Sequence, residues 1–167
     1  MTVCIAFKIP TQAIAPIRDA MRAYQDVLET SVPQEHWMCE IATLSHTTLT
    51  SEQLATLNQP IRQSFHPVIN ILSIGLGKSG NELWAYAQDQ SFLHTIRKEL
   101  LRRIEESRIG LSEDATQEFI PHIHIGNIQS ETQPLSIPDT PVKTKFSLSE
   151  LVIHQDYAVI ETIPVTP

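Results

Sequence analysis

Strand-like stretches outnumber helical ones in this sequence, and several follow one another with no helix between them. The strand-like stretches are rich in β-branched or alternating apolar residues and lie at 2–9, 36–49, 67–74, 82–87, 119–128, 145–153 and 157–163. Helical signals mark only 11–29, the segment after a capping box at 50–53, and 91–109. Strands joined by short turns pair antiparallel, whereas parallel strands need a long crossover. The order therefore disfavours a purely parallel α/β sheet and predicts an α+β fold with mainly antiparallel sheets.

The predicted elements fall into two similar halves. The first half, 2–49, contains a strand, a helix and a strand with histidines, and the second, 67–128, contains a hairpin, a helix and again a strand with histidines. We therefore expect a pseudo-two-fold arrangement. A length of 167 residues is typical of one domain, so a single domain over 1–167 is predicted. The proline-rich stretch 129–142 is predicted to be an exposed loop, and the last two strands are predicted to form a closing hairpin over 154–156.

The charge and cysteine content of the chain restrict its partners and its location. With 12 basic and 19 acidic residues, the formal net charge is −7. This charge disfavours non-specific binding to DNA, to long RNA or to an anionic membrane, so an anionic ligand needs a local site. The two cysteines, Cys4 and Cys39, are too few for a disulfide framework, and we expect a reducing, cytoplasmic location. The N-terminus lacks the pattern of a secretory signal, and no apolar stretch is long enough to span a bilayer.

Two of the strand-like stretches place histidines in related patterns. In Phe-Ile-Pro-His-Ile-His-Ile-Gly, alternation puts His122 and His124 on one strand face. Two histidines on one face can bind a small ligand or a metal, or act as an acid and a base. Earlier in the chain, His46 and Thr48 share a face in the same way. That pair presents a proton-transfer group and a hydroxyl to one phosphate.

These paired motifs resemble those of the 2H phosphoesterases, in particular the 2'-5' RNA ligase / RNA 2',3'-cyclic phosphodiesterase family. Residues 119–126 are similar to that family's second motif, and 3–10, 65–75 and 146–165 resemble its first strand, central hairpin and closing hairpin. The resemblance covers nearly the whole chain. It implies a two-lobed, pseudo-symmetric fold in which mainly antiparallel sheets form a central cleft flanked by helices.

The resemblance also implies a mechanism. In the family, one histidine takes a proton from water or a hydroxyl, the other protonates the leaving oxygen, and hydroxyl residues bind the phosphate without a metal. Carried over, His46 and His122 are the predicted catalytic residues, and Thr48 and His124 are the predicted phosphate-binding residues. No cofactor or metal is implied. The expected substrate is a 2',3'-cyclic phosphate or a related 2'-linked or cyclic phosphodiester on a small nucleotide or RNA end. The reverse reaction would join RNA ends. We expect the protein to be a monomer.

The sequence departs from the family's pattern at two points. His124 stands where the family has its second hydroxyl. Its protonated ring would donate to a phosphate oxygen, or the change marks an altered substrate or a lost activity. His36 is an alternative first histidine, because it lies at about the family's usual distance after the first strand. The residue in the threonine position would then be Met38, whereas His46 keeps Thr48, so we favour His46.

Two further functions fit the same residues. The histidine at position 124 is compatible with a catalytically inactive module that binds a nucleotide or a phosphate. The second is a metal site that combines His122 and His124 with either His46 or His36, since a sheet can present three such ligands.

The remaining basic residues and histidines are assigned no catalytic role. Basic residues of the last helical segment are interpreted as a solvated face paired with acids one turn away, and they are Arg97, Lys98, Arg102 and Arg103. Lys78, in the glycine-rich turn, is long enough to reach over a cleft. The histidines outside the motifs are interpreted as structural or solvent-facing, and they are His66, His94 and His154.

Overall fold

The structure, a computed structural model, describes residues 2–45, 48–112, 117–129 and 137–167. The strands in these residues are β1 (Val3–Lys8), β2 (Leu28–Ser31), β3 (Met38–Leu44), β4 (Ile61–Arg62), β5 (Val68–Leu76), β6 (Glu82–Ala87), β7 (His122–Ile128), β8 (Thr140–Ser147), β9 (Glu150–Gln155) and β10 (Ala158–Thr166). The helices are α1 (Thr11–Met21), α2 (Ser51–Leu57) and α3 (Ser91–Glu106), with short 3₁₀ turns at Arg22–Tyr24 and Gln34–His36. Within the described ranges, no helix is both long enough and apolar enough to cross a membrane.

The strands form two five-stranded sheets. The first has the order β3-β1-β9-β10-β4, and the second has the order β2-β7-β6-β5-β8. Every neighbouring pair is antiparallel except β10 and the two-residue β4, which are parallel. The α+β class and the mainly antiparallel sheets are thereby confirmed. The sequence half 2–49 supplies strands to both sheets, because β2 leaves β1 and β3 to pair with β7.

A cluster of buried apolar side chains joins both sheets and the helices. In β7, Ile123 and Ile125 are fully buried, whereas His122 and His124 are only half-buried. The predicted alternation is therefore confirmed, and the histidine face of β7 points away from the core. In α3, apolar residues four positions apart also enter the core, namely Phe92, Ile96, Leu100 and Ile104.

The two sheets meet where β3, an edge strand of the first, lies beside β7 of the second. The backbone of His122 hydrogen-bonds the sulfur of Cys39 across this junction. Residues 40–43 of β3 therefore face the first histidine of β7, and the candidate site lies at this junction.

The helix predicted over 11–29 is wrong beyond Met21. The chain turns there and then forms β2, in which Leu28 pairs with β7. The hydroxyl of Tyr24 donates to the carbonyl of Ile74 at 2.7 Å and fixes the turn against the second sheet. The apolar residues at helical spacing are thus divided between α1 and β2. The residues of β2 leave the helix because pairing with β7 provides the backbone hydrogen bonds that a helix would otherwise supply.

The predicted closing hairpin is partly wrong. The stretch 145–153 is divided between β8 in the second sheet and β9 in the first, so the hairpin consists of β9 and β10. At its turn, Asp156 and Tyr157 have φ angles of 49° and 68°, the left-handed backbone of a tight two-residue turn. Half of the loop predicted over 129–142, residues 130–136, lies outside the described residues, and β8 already begins at Thr140.

The other helix boundaries are close to the prediction. The Thr50 hydroxyl accepts a hydrogen bond from the Gln53 amide at 3.2 Å, and the Gln53 side chain accepts one from the Thr50 amide at 2.9 Å, so the capping box is confirmed. The last helix starts at Ser91 as predicted but ends at Glu106 rather than at 109. It ends there because Arg108 takes a left-handed φ of 55°.

Candidate active site

A cavity of about 200 Å³ lies at the junction of the two sheets. One wall is formed by residues 40–43 of β3, and the other by the segment 117–120 and the first residue of β7. Its lining includes the imidazole of His122, the indole of Trp84, the cations Lys78 and Arg97, and the carboxylates of Glu40 and Glu118. The cavity therefore combines a titratable ring, an aromatic face, two cations and two carboxylates.

His122 is held in one tautomer. Its Nδ1 lies 2.7 Å from the carbonyl oxygen of Ile120, and a carbonyl can only accept, so Nδ1 carries the proton. In the neutral ring, Nε2 is then the nitrogen with a lone pair. Burial lowers the pKa of His122, although the Ile120 carbonyl and the Glu82 carboxylate act in the opposite direction. The ring is therefore neutral near neutral pH and suited to accept a proton.

Trp84 fixes the orientation of the His122 ring. The two rings stack with their centroids 3.5 Å apart and an interplanar angle of 14°. The Trp84 indole nitrogen donates to the Glu82 carboxylate at 2.6 Å, which fixes the indole in turn. On the glycine-rich turn, a Cβ at Gly77 would clash with the indole ring, so only glycine leaves room for it. The stack of turn, indole and imidazole thus depends on a glycine that sequence reasoning assigned only to a hairpin.

His124 does not line the cavity, although it shares a strand face with His122. Its Nε2 lies 2.9 Å from the carbonyl oxygen of Gly126 and 3.2 Å from Oδ1 of Asn127, so Nε2 carries a proton that is donated within the strand. The Asn127 amide in turn donates to the Thr30 hydroxyl at 2.9 Å. Any contact of His124 with a phosphate is left to its Nδ1.

Of the two candidates for the first histidine, the structure describes only His36. His46 lies outside the described residues, but Ser45, just before it, follows the β3 segment that lines the cavity. Thr48, just after it, is exposed and is not among the residues that line the cavity. His36 precedes the opposite end of β3, where its ring stacks on Tyr157 with centroids 4.1 Å apart. The structure therefore brings His122, but not His36, to the cavity.

Two cations face the cavity. The Arg97 guanidinium donates to the Ile41 carbonyl at 3.2 Å and lies 5.2 Å from the centre of the Phe119 ring. Burial lowers its pKa, but an arginine stays charged at any physiological pH. The Lys78 ammonium lies 3.3 Å from the Glu118 carboxylate at the exposed rim. The reach of Lys78 agrees with the sequence analysis, whereas the solvated position expected for Arg97 is wrong.

Arg103 also departs from the predicted solvated face. It is only 4% exposed, and its guanidinium donates to the carbonyls of Leu57 and Pro60, at 3.1 and 3.0 Å, where α2 ends. Arg102, by contrast, pairs with Glu99 on the surface as predicted. Intrahelical spacing identified the acid partners but gave no information about the neighbouring segment that Arg103 holds.

No protein-family model matches the sequence, and no curated protein is significantly similar to it. Solved structures are similar over more than nine tenths of the chain. E. coli LigT in its apo form is 16% identical, with a TM-score of 0.75 over 99% of this chain and 98% of that chain. TT0787 of Thermus thermophilus is 14% identical, with a TM-score of 0.73 over 98% of this chain and 97% of that chain. The MHV ns2 PDE domain is 10% identical, with a TM-score of 0.58 over 91% of this chain and 96% of that chain. The chain has the 2H phosphoesterase fold.

The 2H fold confirms the resemblance at the level of architecture. Crystal structures of E. coli LigT include complexes with ATP, NADP+, 3'-AMP and phosphate. In the present chain, the strand order and the position of β3 beside β7 give this fold its cavity.

The cysteines and one further histidine lie near the cavity. Burial raises the pKa of both Cys4 and Cys39 to about 12, so neither thiol is a nucleophilic thiolate at neutral pH. In the described part of the chain, the one group of three potential metal ligands is Cys4, Glu40 and His154. The histidine set with His36 is not such a group among the described residues, and the set with His46 lies outside them. His154 is buried, as the structural interpretation allows, and the solvent-facing alternative is wrong for it.

Sequence reasoning missed two residues of the candidate site. Trp84 belongs to the predicted hairpin strand 82–87 and was given no role in the site, although its partner across the β6–β7 pair, His124, belongs to the second motif. Arg97 was hidden among other basic residues of α3. A search for aromatic residues on strands adjacent to a histidine motif would have found Trp84, but only the structure places Arg97 over Phe119.

Proposed function

We propose that this protein is a phosphodiesterase that opens 2',3'-cyclic phosphates, or related 2'-linked or cyclic phosphodiesters, on small nucleotides or RNA ends. The observation that carries the proposal is the state of His122: a neutral, oriented imidazole on the wall of a cavity that also contains two cations. Such a ring is a general base, and the cations attract a phosphate.

The proposed reaction uses two histidines. His122 Nε2 takes the proton of a water molecule as its oxygen attacks phosphorus. His46, in protonated form, gives a proton to the ribose oxygen as the P–O bond to it breaks. The products are a phosphomonoester and a free hydroxyl, and the two histidines end with exchanged protonation states. The lowered pKa of His122 supports its role as the base in this direction. When the 5'-hydroxyl of a second RNA replaces water as the nucleophile, the same two proton transfers would join RNA ends.

His46 is preferred to His36 for two reasons. In the sequence, position 46 comes two residues after Leu44, the end of β3, and residues 40–43 of that strand line the cavity. His36 lies before the other end of β3 and is stacked on Tyr157. Thr48 remains the proposed hydroxyl partner of the phosphate.

The phosphate is proposed to bind the Arg97 guanidinium and the Lys78 ammonium in addition to the residues of the motifs. Because the Nε2 proton of His124 is donated to Gly126, His124 contributes less than a threonine hydroxyl would. The cavity of about 200 Å³ is smaller than the roughly 300–1,000 Å³ of most ligand clefts, so it fits the reacting end of a nucleotide rather than a long RNA. Nucleotide and phosphate complexes of LigT support this ligand class.

The test is hydrolysis of a 2',3'-cyclic nucleotide by wild type, His122→Ala and the matched control His66→Ala, with and without a chelator. His66 is exposed and outside the cavity. Loss of the base is expected to lower kcat by roughly 10²–10⁴-fold, with wild type and control unaffected by the chelator. Unchanged turnover in His122→Ala, or activity abolished by the chelator alone, would contradict the proposal.

A second candidate function is a module that binds a nucleotide without turning it over. The observation in its favour is His124, which stands in a hydroxyl position and donates its Nε2 proton within its own strand. Calorimetry with a cyclic nucleotide, followed by product analysis after long incubation, separates the two functions. Tight binding without any product would establish the binding module.

A further inference from the structure

Three metal-ligating side chains from three strands meet on one face of the first sheet. Cys4 of β1 pairs with His154 of β9, and a bulge between Ile5 and Ala6 brings Glu40 of β3 beside them. One ligand atom of each, the Cys4 sulfur, a Glu40 carboxylate oxygen and a His154 ring nitrogen, lies within 4.8 Å of the other two. Neighbouring strands place these residues together although they are far apart in sequence.

The burial of His154 calls for a ligand. The residue is only 3% exposed, and neither of its ring nitrogens has a hydrogen-bond partner within the described residues. Buried polar atoms almost always have a partner, and leaving two in one ring is costly. The ring of Tyr157 stacks parallel to it with centroids 5.9 Å apart, and ring stacking does not satisfy a nitrogen.

We propose that Cys4, Glu40 and His154 bind a divalent transition metal, with Zn²⁺ as the best match. A thiolate, an imidazole and a carboxylate are ligand types that Zn²⁺ takes together, and three protein ligands leave a fourth position for water. Ligand atoms around tetrahedral Zn²⁺ lie about 3.5 Å apart, so the cluster must contract slightly. Glu40 is exposed and can supply this movement. On binding, the Cys4 thiol loses its proton to solvent as the metal–sulfur bond forms.

The proposed metal site is separate from the proposed base but adjoins the same cavity. Glu40 belongs to both the ligand cluster and the cavity wall, whereas His122 belongs only to the cavity. Coordination would neutralise the Glu40 carboxylate and hold it in place. Metal binding and phosphodiester hydrolysis are therefore measured in separate experiments, and a negative result for one proposal does not contradict the other.

The experiment is a Zn²⁺ titration of the reduced, full-length protein in competition with a chromophoric chelator, together with the absorption spectrum of the Co²⁺-loaded protein. Wild type is expected to bind one Zn²⁺ per chain and to show a thiolate-to-cobalt charge-transfer band. Cys4→Ser and His154→Asn are expected to weaken binding by more than the roughly 10–100-fold that follows loss of an outer-shell partner. Cys39→Ala and His66→Asn are the matched controls, and His122→Ala is expected to keep the metal.

Circular dichroism monitors the folding of each variant. If His154→Asn does not fold, the test relies on Cys4→Ser. Absence of Zn²⁺ binding by wild type would overturn the proposal. A Co²⁺ spectrum in which the thiolate band survives in Cys4→Ser but is lost in Cys39→Ala would also overturn it. Equal Zn²⁺ affinity in wild type, Cys4→Ser and His154→Asn would place the metal elsewhere on the protein and would also overturn the proposal.

Discussion

At the residue scale, Trp84 covers one face of the His122 imidazole. Burial lowers the pKa of His122 below the usual value of about 6.5, and we expect the indole to contribute to that burial. A general base works only when it is neutral, so kcat/KM is expected to rise with pH through the lowered pKa, which places the acid limb below about pH 6.5. Trp84→Ala exposes the ring, raises the pKa of His122, and is expected to move the acid limb to higher pH.

The pH dependence of kcat/KM for wild type, Trp84→Phe and Trp84→Ala checks this expectation. Trp84→Phe keeps an aromatic ring and is expected to shift the acid limb of the kcat/KM profile less than Trp84→Ala does. Removal of the whole indole costs about 3–5 kcal/mol of unfolding free energy, so measurements are made well below the melting temperature. An acid limb that stays at the same pH in both variants would show that another group controls it.

The sequence allowed His122 to be identified as a candidate, because strand alternation alone places it opposite the buried Ile123. Its tautomer and its base-like pKa were not predictable. They depend on the Ile120 carbonyl and on Trp84, whose positions are set by the turn before β7 and by the register of β6. Contacts of this kind depend on the tertiary structure, so local sequence patterns do not predict them.

At the scale of elements, Arg103 ties α3 to the end of α2. Its guanidinium satisfies carbonyls there and pairs with Glu99 at 2.8 Å. Arg103→Met would leave these carbonyls without their donor and would remove one of the two arginine partners of Glu99, and we expect it to lower the unfolding free energy by roughly 3 kcal/mol. Arg102→Met, the exposed neighbour on the same helix, is the control and is expected to have little effect. Urea denaturation measures both, and equal values for the two variants would contradict the role of Arg103.

The elements were predictable where local signals and tertiary pairing agree. The capping box at Thr50 and the alternation of β6 and β7 are examples. Prediction failed where one stretch serves two sheets. Residues after Met21 have helical spacing but pair with β7, and residues 145–153 change sheets between β8 and β9. Such changes are decided by strand order, which a single sequence does not contain.

At the scale of the whole molecule, a net charge of −7 opposes any anionic ligand, so binding must depend on the local cations. Arg97 is held in place by the Ile41 carbonyl and the Phe119 ring. Arg97→Gln is expected to weaken 3'-AMP binding about 10–100-fold, the range that corresponds to the loss of one charged hydrogen bond. Calorimetry at fixed ionic strength measures this, with Arg102→Gln as a control of equal charge change. The same loss in both variants would show that only the overall charge matters.

The central claim is that two histidines from two sequence motifs act together on one phosphodiester. Its most direct test is kcat/KM for a 2',3'-cyclic nucleotide in His46→Ala, His122→Ala and the double variant, measured in the presence of a chelator. Each single variant is expected to lose roughly 10²–10⁴-fold, and the double variant little more, because residues that act as a unit are not additive. Wild-type turnover by His46→Ala, or a double variant whose loss is the product of the two single losses, would contradict the claim.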